Sequence, residues 1–272
     1  MASSIPANKT SHLERTAAEP RDQFLPGQWL DVFVPGISRA GGFTITSPPS
    51  LALQSEQPGY LELAVQKSPG NPPAAWLWQD PPASLLGSDL QVRVGGSFVW
   101  PPPGLAAATT REVMGVRRIV LVAGGVGINP LVSMLSALAE DGDKDLDVRF
   151  LYSLRDPGPA AARDPARLLF LERIAEVFAS GQVRGGLQLY LTGGGAEKKV
   201  EDGTIAWKGG EIPFRGRRIT RDDLREAVGE DREQALVYVC GVPRMTDEFV
   251  EWLKSGDGLG MDPERVLCEK WW

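Results

Sequence analysis

A short apolar run that ends in three glycines carries the strongest chemical signal in this sequence. The segment comprises Ala123, Gly124, Gly125, Val126, Gly127, Ile128, Asn129 and Pro130. Glycine lets a ligand approach the backbone closely, and free N–H groups at the start of a helix attract phosphate. The pattern therefore predicts a phosphate-binding strand–turn–helix unit with Asn129 as the N-cap and Pro130 as the first helical residue. An ordinary tight turn is the alternative, because the spacing is neither G-x-G-x-x-G nor that of a P-loop.

A second strand–glycine–helix pattern runs from Val237 to Met245 and contains Cys240 and Gly241. In a doubly wound sheet the carboxyl ends of the strands face the ligand crevice. Cys240 is therefore expected near a bound nucleotide. The alternative is that Cys240 is a small buried hydrophobic residue, which is the commoner role of a cysteine outside a disulfide.

The counts of single residue types exclude several kinds of site. The 272 residues include one histidine, His12, and two cysteines, Cys240 and Cys268. These are too few for a Ser-His-Asp triad, a multi-histidine zinc site or a four-cysteine cluster. The formal net charge of −6 argues against a nucleic-acid-binding protein. The sequence predicts no metal site, so chemistry must come from carboxylates, lysines, thiols or a bound organic cofactor.

The elements that must position these residues differ between the two halves of the chain. In the first half, short apolar runs between Pro- and Gly-rich turns are typical of an antiparallel barrel or sandwich; they cover 29–34, 43–46, 60–65 and 90–94. After Gly115, apolar strands alternate with helical segments, which is typical of βαβ units around a parallel sheet. The predicted strands are 119–123, 148–152, 187–191, 236–240 and 266–268, and the helices start near Pro130, Pro165, Arg221 and Met245.

The predicted fold class is therefore α+β with two domains. An antiparallel β-barrel over 23–113 precedes an α/β domain with a doubly wound parallel sheet over 114–272. Residues 1–22 are predicted to form a disordered tail, and 193–219 a long surface loop.

Five segments together resemble one known family. They are FLPGQW at 24–29, FTITS at 43–47, AGGVGINP at 123–130, LYSLR at 151–155 and CGVPRM at 240–245. The chain resembles the ferredoxin–NADP reductase superfamily, which pairs a flavin-binding β-barrel with a pyridine-nucleotide domain. With its carboxyl-terminal CEKWW, it is most similar to the branch of oxidoreductase NAD-binding domain-containing proteins. The resemblance covers about residues 24–272.

The resemblance implies a flavin-dependent oxidoreductase that passes a hydride from NAD(P)H to bound FAD and electrons to an unidentified acceptor. It implies catalytic roles for Cys240, Glu269 and Thr44 beside the reacting rings. Besides the glycine-rich segment, the implied cofactor-binding residues are Phe43, Thr46, Ser47, Ser153, Arg155, Gly241, Met245 and Trp271. At the end of the second nucleotide-domain strand, Ser153 and Arg155 favour NADP and Asp156 favours NAD, with NAD slightly preferred overall.

The sequence departs from the family pattern where the flavin phosphates are expected. Gly41 stands where the family has an arginine that clamps the pyrophosphate, and Phe43 and Thr44 replace Tyr and Ser. The helix start that holds the flavin phosphate reads Gly-Asn-Pro-Pro at 70–73 and lacks a hydroxyl. The strand expected before FLPGQW is not evident, so an incomplete barrel is predicted. A non-catalytic NAD(P)-binding sensor or scaffold is therefore the main alternative, and a cytochrome-partner reductase is a third.

The amino-terminal segment gives no clear targeting signal. No run approaches the roughly 20 apolar residues that span a bilayer, and no secretory h-region is evident. Glu14, Glu19 and Asp22 weaken a mitochondrial transit interpretation without excluding it. A cytoplasmic or mitochondrial monomer is expected.

Overall fold

The first half of the chain forms antiparallel strands in the computed structural model, which describes residues 8–14, 24–53, 59–79, 85–159, 162–193 and 200–270. The strands are β1 (Asn8–Glu14), β2 (Trp29–Phe33), β3 (Gly41–Thr44), β4 (Tyr60–Gln66) and β5 (Gln91–Gly95), with a short helix α1 (Pro72–Leu77). Sheets β3-β2-β5 and β1-β4 are joined by a bridge between Ile45 and Leu63. Alternate apolar side chains, among them Leu30, Val32, Ile45 and Leu63, fill the space between them.

Strand β1 corrects two predictions made from the sequence. Residues Asn8–Glu14 do not belong to a disordered tail, because they pair antiparallel with β4 from Asn8 opposite Gln66 to Glu14 opposite Tyr60. The strand expected to be missing before FLPGQW is therefore present. Its backbone hydrogen bonds with β4 compensate for a sequence with little intrinsic strand preference.

The second half forms a seven-stranded sheet in the order β12-β11-β6-β7-β8-β10-β9. The strands are β6 (Arg118–Gly124), β7 (Asp147–Arg155), β8 (Arg184–Thr192), β9 (Gly203–Trp207), β10 (Gly210–Arg215), β11 (Ala235–Cys240) and β12 (Val266–Glu269). Only β9 runs antiparallel to its neighbour among these described strands. Residues 235–240 of β11 are all completely buried, as expected for a parallel strand covered on both faces.

Helices cover both faces of this sheet and form two cores. The helices are α2 (Ala107–Met114), α3 (Ile128–Asp141), α4 (Leu171–Ala179), α5 (Arg221–Val228) and α6 (Pro243–Lys254). One core contains Ile128, Leu131 and Phe150, and the other contains Val237, Leu253 and Trp252. The prediction of an α+β chain with an antiparallel unit before a doubly wound parallel sheet is confirmed. In the described residues no helix has the length and apolar character needed to cross a bilayer.

Three boundaries differ from those predicted. The expected surface loop 193–219 contains the hairpin β9–β10, whose Ile205, Ile212 and Phe214 pack into the core. A 3-10 turn, Pro165–Arg167, replaces the start of the helix near Pro165, and α4 begins at Leu171. The predicted domain boundary at 113/114 falls inside α2.

Candidate functional site

The two glycine turns meet at the point where the order of the sheet reverses. Strands β6 and β11 are neighbours, but α3 leads from β6 to β7 on one side, and α6 leads from β11 to β12 on the other. A Cβ atom on Gly241 would lie 3.0 Å from N and Cα of Gly124 and 2.3 Å from Cε of Met245. A Cβ atom on Gly127 would lie 2.3 Å from the carbonyl oxygen of Cys240. Glycine is therefore required for this close approach, which creates the crevice typical of doubly wound sheets.

The exposed part of the glycine-rich segment is its first turn. Gly125 has φ +56°, nothing lies within 4 Å of its Cβ position, and Val126 is 40% exposed. The other predicted members, Ala123, Gly124, Gly127, Ile128, Asn129 and Pro130, are buried. Helix α3 is 14 residues long, has no side-chain cap and carries no acidic residue in its first turn. Its positive dipole end and the backbone N–H groups of the 3-10 turn Gly125–Gly127 that leads into it favour an anion beside Gly125.

Asn129 does not cap this helix, and that prediction was wrong. Helix α3 begins at Ile128 with Gly127 at the N-cap, so Asn129 and Pro130 lie inside its first turn. The Asn129 amide instead donates from Nδ2 to the carbonyl oxygen of Ala64 in β4 at 3.1 Å. Its Oδ1 is buried and has no hydrogen-bond partner among the residues that the structure describes. The helix that begins at the glycine turn is thereby attached to the antiparallel unit.

A buried ion pair makes a second connection between the two units. Arg173 on α4 donates from Nη2 to both carboxylate oxygens of Glu62 on β4, at 2.9 and 2.8 Å. Thr46 Oγ1 donates to Oε1 of Glu62 at 2.7 Å, and Ser47 Oγ accepts from the Glu62 N–H at 3.1 Å. The hydroxyls of Thr46 and Ser47 thus have protein partners, and flavin binding by them stays a prediction. The sequence analysis did not predict this pair, although Glu62, a charged residue within the apolar run 60–65, indicated that a buried carboxylate would need a partner.

Cys240, Ala123 and Glu269 lie in one row across the carboxyl ends of three strands. Cys240 is in register with Ala123 on β6 and with Glu269 on β12. The Cys240 side chain is completely buried in the core that contains Tyr238. Glu269 is partly buried, and this desolvation raises the pKa of its carboxyl group. Of the two, only Glu269 is accessible to a ligand in this arrangement.

Thr44 and Phe43 belong to the end of β3. Both are largely buried. A Cβ atom on Gly41 would lie 2.7 Å from Cε2 of Phe43 and 2.8 Å from Cβ of Pro73. The Phe43 ring therefore packs on its own strand and occupies the space that a side chain at position 41 would need. Contact between this ring and a flavin stays a prediction, as does a role of Thr44 beside the flavin.

The residues where a flavin phosphate is expected offer few donors. Helix α1 begins with Pro72 and Pro73, which have no N–H group, and the N–H of Ala74 donates to Oδ1 of Asn71 at 3.3 Å. The filled space at Gly41 excludes an arginine clamp there. At the other end of the expected flavin site, Asn129 holds the glycine turn against β4 and Glu269 is partly open. The residues at the phosphate end do not fit the phosphates.

An ion pair just after β7 engages Asp156, the residue that was expected to favour NAD. Arg163 donates from Nε and Nη2 to the two carboxylate oxygens of Asp156, at 2.9 and 2.8 Å. Ser153 is partly buried and Arg155 is exposed. A surface hollow of about 550 Å³ lies beside Arg163 and the hairpin strand β9, away from the glycine turns. Trp271 lies outside the described residues. Sequence reasoning missed Arg163, because nothing in the sequence pairs it with Asp156.

Comparisons with known proteins agree with this architecture. No protein-family profile matches the chain. Oxidoreductase NAD-binding domain-containing protein 1 from Bos taurus is 34% identical over 258 residues, which cover 92% of this chain and 72% of the relative. The protein of the same name from Danio rerio is 33% identical over 273 residues, which cover 98% of this chain and 88% of the relative.

Solved structures show the same fold at low sequence identity. The flavohem-like FAD/NAD-binding domain of nitric oxide dioxygenase from Vibrio cholerae has a TM-score of 0.62 and 15% identity, over 97% of this chain and 92% of that one. The cytochrome b5 reductase domain of Ulva prolifera nitrate reductase has a TM-score of 0.60 and 16% identity, over 98% of this chain and 93% of that one. The chain thus shares its two-unit fold with these two reductase-type domains. Given the identity and coverage of its relatives, the chain belongs to the family of oxidoreductase NAD-binding domain-containing protein 1.

Proposed function

We propose that this protein is an NAD(P)H-dependent oxidoreductase that transfers a hydride from a reduced nicotinamide to a flavin, with electrons passing on to an acceptor that is not identified. The observation that carries the proposal is the meeting of the two glycine turns beside the uncapped start of α3. Glu269 lies on the same row of strand ends. The family name and the FAD/NAD-binding domain of the Vibrio cholerae neighbour support this class of reaction.

In this proposal the dinucleotide lies across the carboxyl ends of the strands. The backbone of Gly125 and Val126, in the turn that leads into α3, binds the pyrophosphate at the positive end of the helix dipole. Met245 packs beneath the turn, against Gly124 and Gly241, and keeps the two turns in contact. The open Cβ position of Gly125 leaves room for the phosphates to approach the backbone.

The residues at the two ends of the dinucleotide have different roles. Ser153 and Arg155, at the end of β7, contact the adenosine ribose. Glu269, a partly buried carboxyl group whose pKa is raised by burial, lies beside the nicotinamide. Cys240 shapes the floor of the site from below, because its thiol is buried. A flavin supplies the hydride acceptor, and the chain supplies binding and orientation.

A second candidate function is a non-catalytic sensor or scaffold that binds NAD(P). The observation that favours it is the lack of phosphate donors at Gly41 and at the start of α1. In that case the nucleotide site is intact and no flavin is reduced.

One pair of measurements separates these two functions. Calorimetry with NADH and NADPH tests binding, and anaerobic mixing of NAD(P)H with flavin and protein tests reduction through loss of the flavin's visible absorbance. We expect binding and flavin reduction together. Binding without faster flavin reduction supports the sensor function, and the absence of binding contradicts both.

A further inference from the structure

We propose that the flavin of this protein is an exchangeable substrate, recognised through its ring system and ribityl chain and not through its phosphates. This inference rests on the function proposed above and narrows it. It predicts that riboflavin, FMN and FAD are used alike, because they share the ring and ribityl parts and differ only in phosphate and adenosine.

The start of helix α1 is closed to an anion. Pro72 and Pro73 occupy its first two positions and have no N–H group to donate. The next N–H, of Ala74, donates to the Asn71 side chain at 3.3 Å, and that of Ala75 donates to the Asn71 carbonyl at 2.9 Å. The backbone of residues 72–75, which include the last two positions of the implied family pattern, therefore has no free N–H donor here.

The position on β3 where the family carries its arginine clamp is filled as well. At Gly41 the ring of Phe43 and Cβ of Pro73 lie 2.7 and 2.8 Å from the Cβ position. A real Cβ does not approach other atoms this closely, so the packed Phe43 ring excludes a cationic side chain at this point. The same Pro73 thus closes both expected phosphate contacts, one at the helix start and one at the strand.

Nearby cations already have other partners. Arg93 donates to Asp31 through Nε at 3.0 Å and through Nη2. Arg173 is held by Glu62, and Lys67 lies over the Trp78 ring at 5.9 Å. Arg39, on the loop before β3, is exposed. It provides a direct test of whether another cation replaces the clamp.

Reduction of an exchangeable flavin by the nicotinamide requires no further reacting group on the protein. The C4–H bond of the reduced nicotinamide breaks, and its hydride forms a bond to N5 of the oxidised flavin. A proton from solvent adds at N1. The products are oxidised nicotinamide and dihydroflavin, which carries both electrons out of the site to its acceptor.

The test compares the three flavins with the full chain. NAD(P)H oxidation is measured in air against the concentration of riboflavin, FMN or FAD, after the protein has been desalted. We expect KM values within about threefold of one another and a desalted protein without flavin absorbance. Each charge-assisted phosphate contact is worth roughly tenfold or more in affinity, so a protein that binds the phosphate would strongly favour FMN or FAD.

The outcomes separate this inference from the proposed function. A preference of tenfold or more for FMN or FAD, or flavin retained through desalting, overturns the exchangeable flavin and leaves the reductase function standing. Binding of NAD(P)H without oxidation in any flavin overturns both.

Arg39→Ala and Lys67→Ala serve as a matched pair of exposed cation removals. We expect both to leave the ratio of FMN to riboflavin KM unchanged within about twofold. A selective loss of FMN by about tenfold in either variant would show that this cation binds the phosphate and would overturn the inference.

Discussion

Substitution of Gly125 by Asp places a negative charge at the exposed point of the glycine turn. Apart from Gly125 and its two chain neighbours, no described heavy atom lies within 4 Å of the Gly125 Cβ position, so a Cβ atom meets no steric obstacle there. The positive φ of +56° disfavours most residues but is tolerated by Asp and Asn. Gly125→Asn is therefore a matched control, because it has nearly the same shape and backbone cost and lacks the charge.

The magnitude follows from the charge on the ligand. A carboxylate about 6 Å from one phosphate charge of a bound pyrophosphate, at an effective dielectric constant of about 20 or higher, costs about 1–3 kcal/mol of binding free energy. That corresponds to roughly 5- to 150-fold weaker binding of NAD(P)H by the Asp variant than by the Asn variant. Salt must reduce the difference, because exposed charges are screened.

The assay is calorimetric titration of both variants with NADH and NADPH at low and high salt. Circular dichroism and melting temperature establish that both are folded. Equal affinities of the Asp and Asn variants, or a difference that does not change with salt, would refute the placement of the pyrophosphate beside Gly125.

Three further predictions concern the ion pairs and the carboxyl terminus. Arg173→Met leaves the buried Glu62 carboxylate without its cation, so the free energy of unfolding in urea should fall by about 2–4 kcal/mol; a change below about 0.5 kcal/mol would contradict this. Arg163→Ala frees Asp156 to repel a 2′-phosphate, so the NADPH-to-NADH affinity ratio should fall about tenfold by calorimetry, and an unchanged ratio would remove Asp156 from the nucleotide site. Deletion of residues 271–272 should raise nicotinamide affinity and alter flavin fluorescence, whereas a lower melting temperature alone would mean that the tryptophans only pack.

Local residue patterns were sufficient to predict much of the fold. The apolar runs of β6 and β11 were predicted because a strand buried on both faces needs continuous hydrophobic residues. The glycine turns that follow them were predicted because few other residues permit so close an approach of two backbones. These two features depend on residues close together in the sequence, and they also located the crevice that is proposed to bind the nucleotide.

The features that depend on residues far apart in the sequence became evident only in the tertiary structure. Strand β1 is polar and forms through its pairing with β4, and the hairpin β9–β10 forms by packing Ile205, Ile212 and Phe214 onto the sheet. Asn129 donates to the carbonyl oxygen of Ala64 on β4 at 3.1 Å. A local capping pattern cannot predict this bond, because it depends on how the two units pack. The pairing of Asp156 with Arg163 and of Glu62 with Arg173 likewise requires knowing which elements pack together. Sequence alone therefore determined the glycine turn of the proposed nucleotide site, and the packing of the two units determined which polar groups remain available to a ligand.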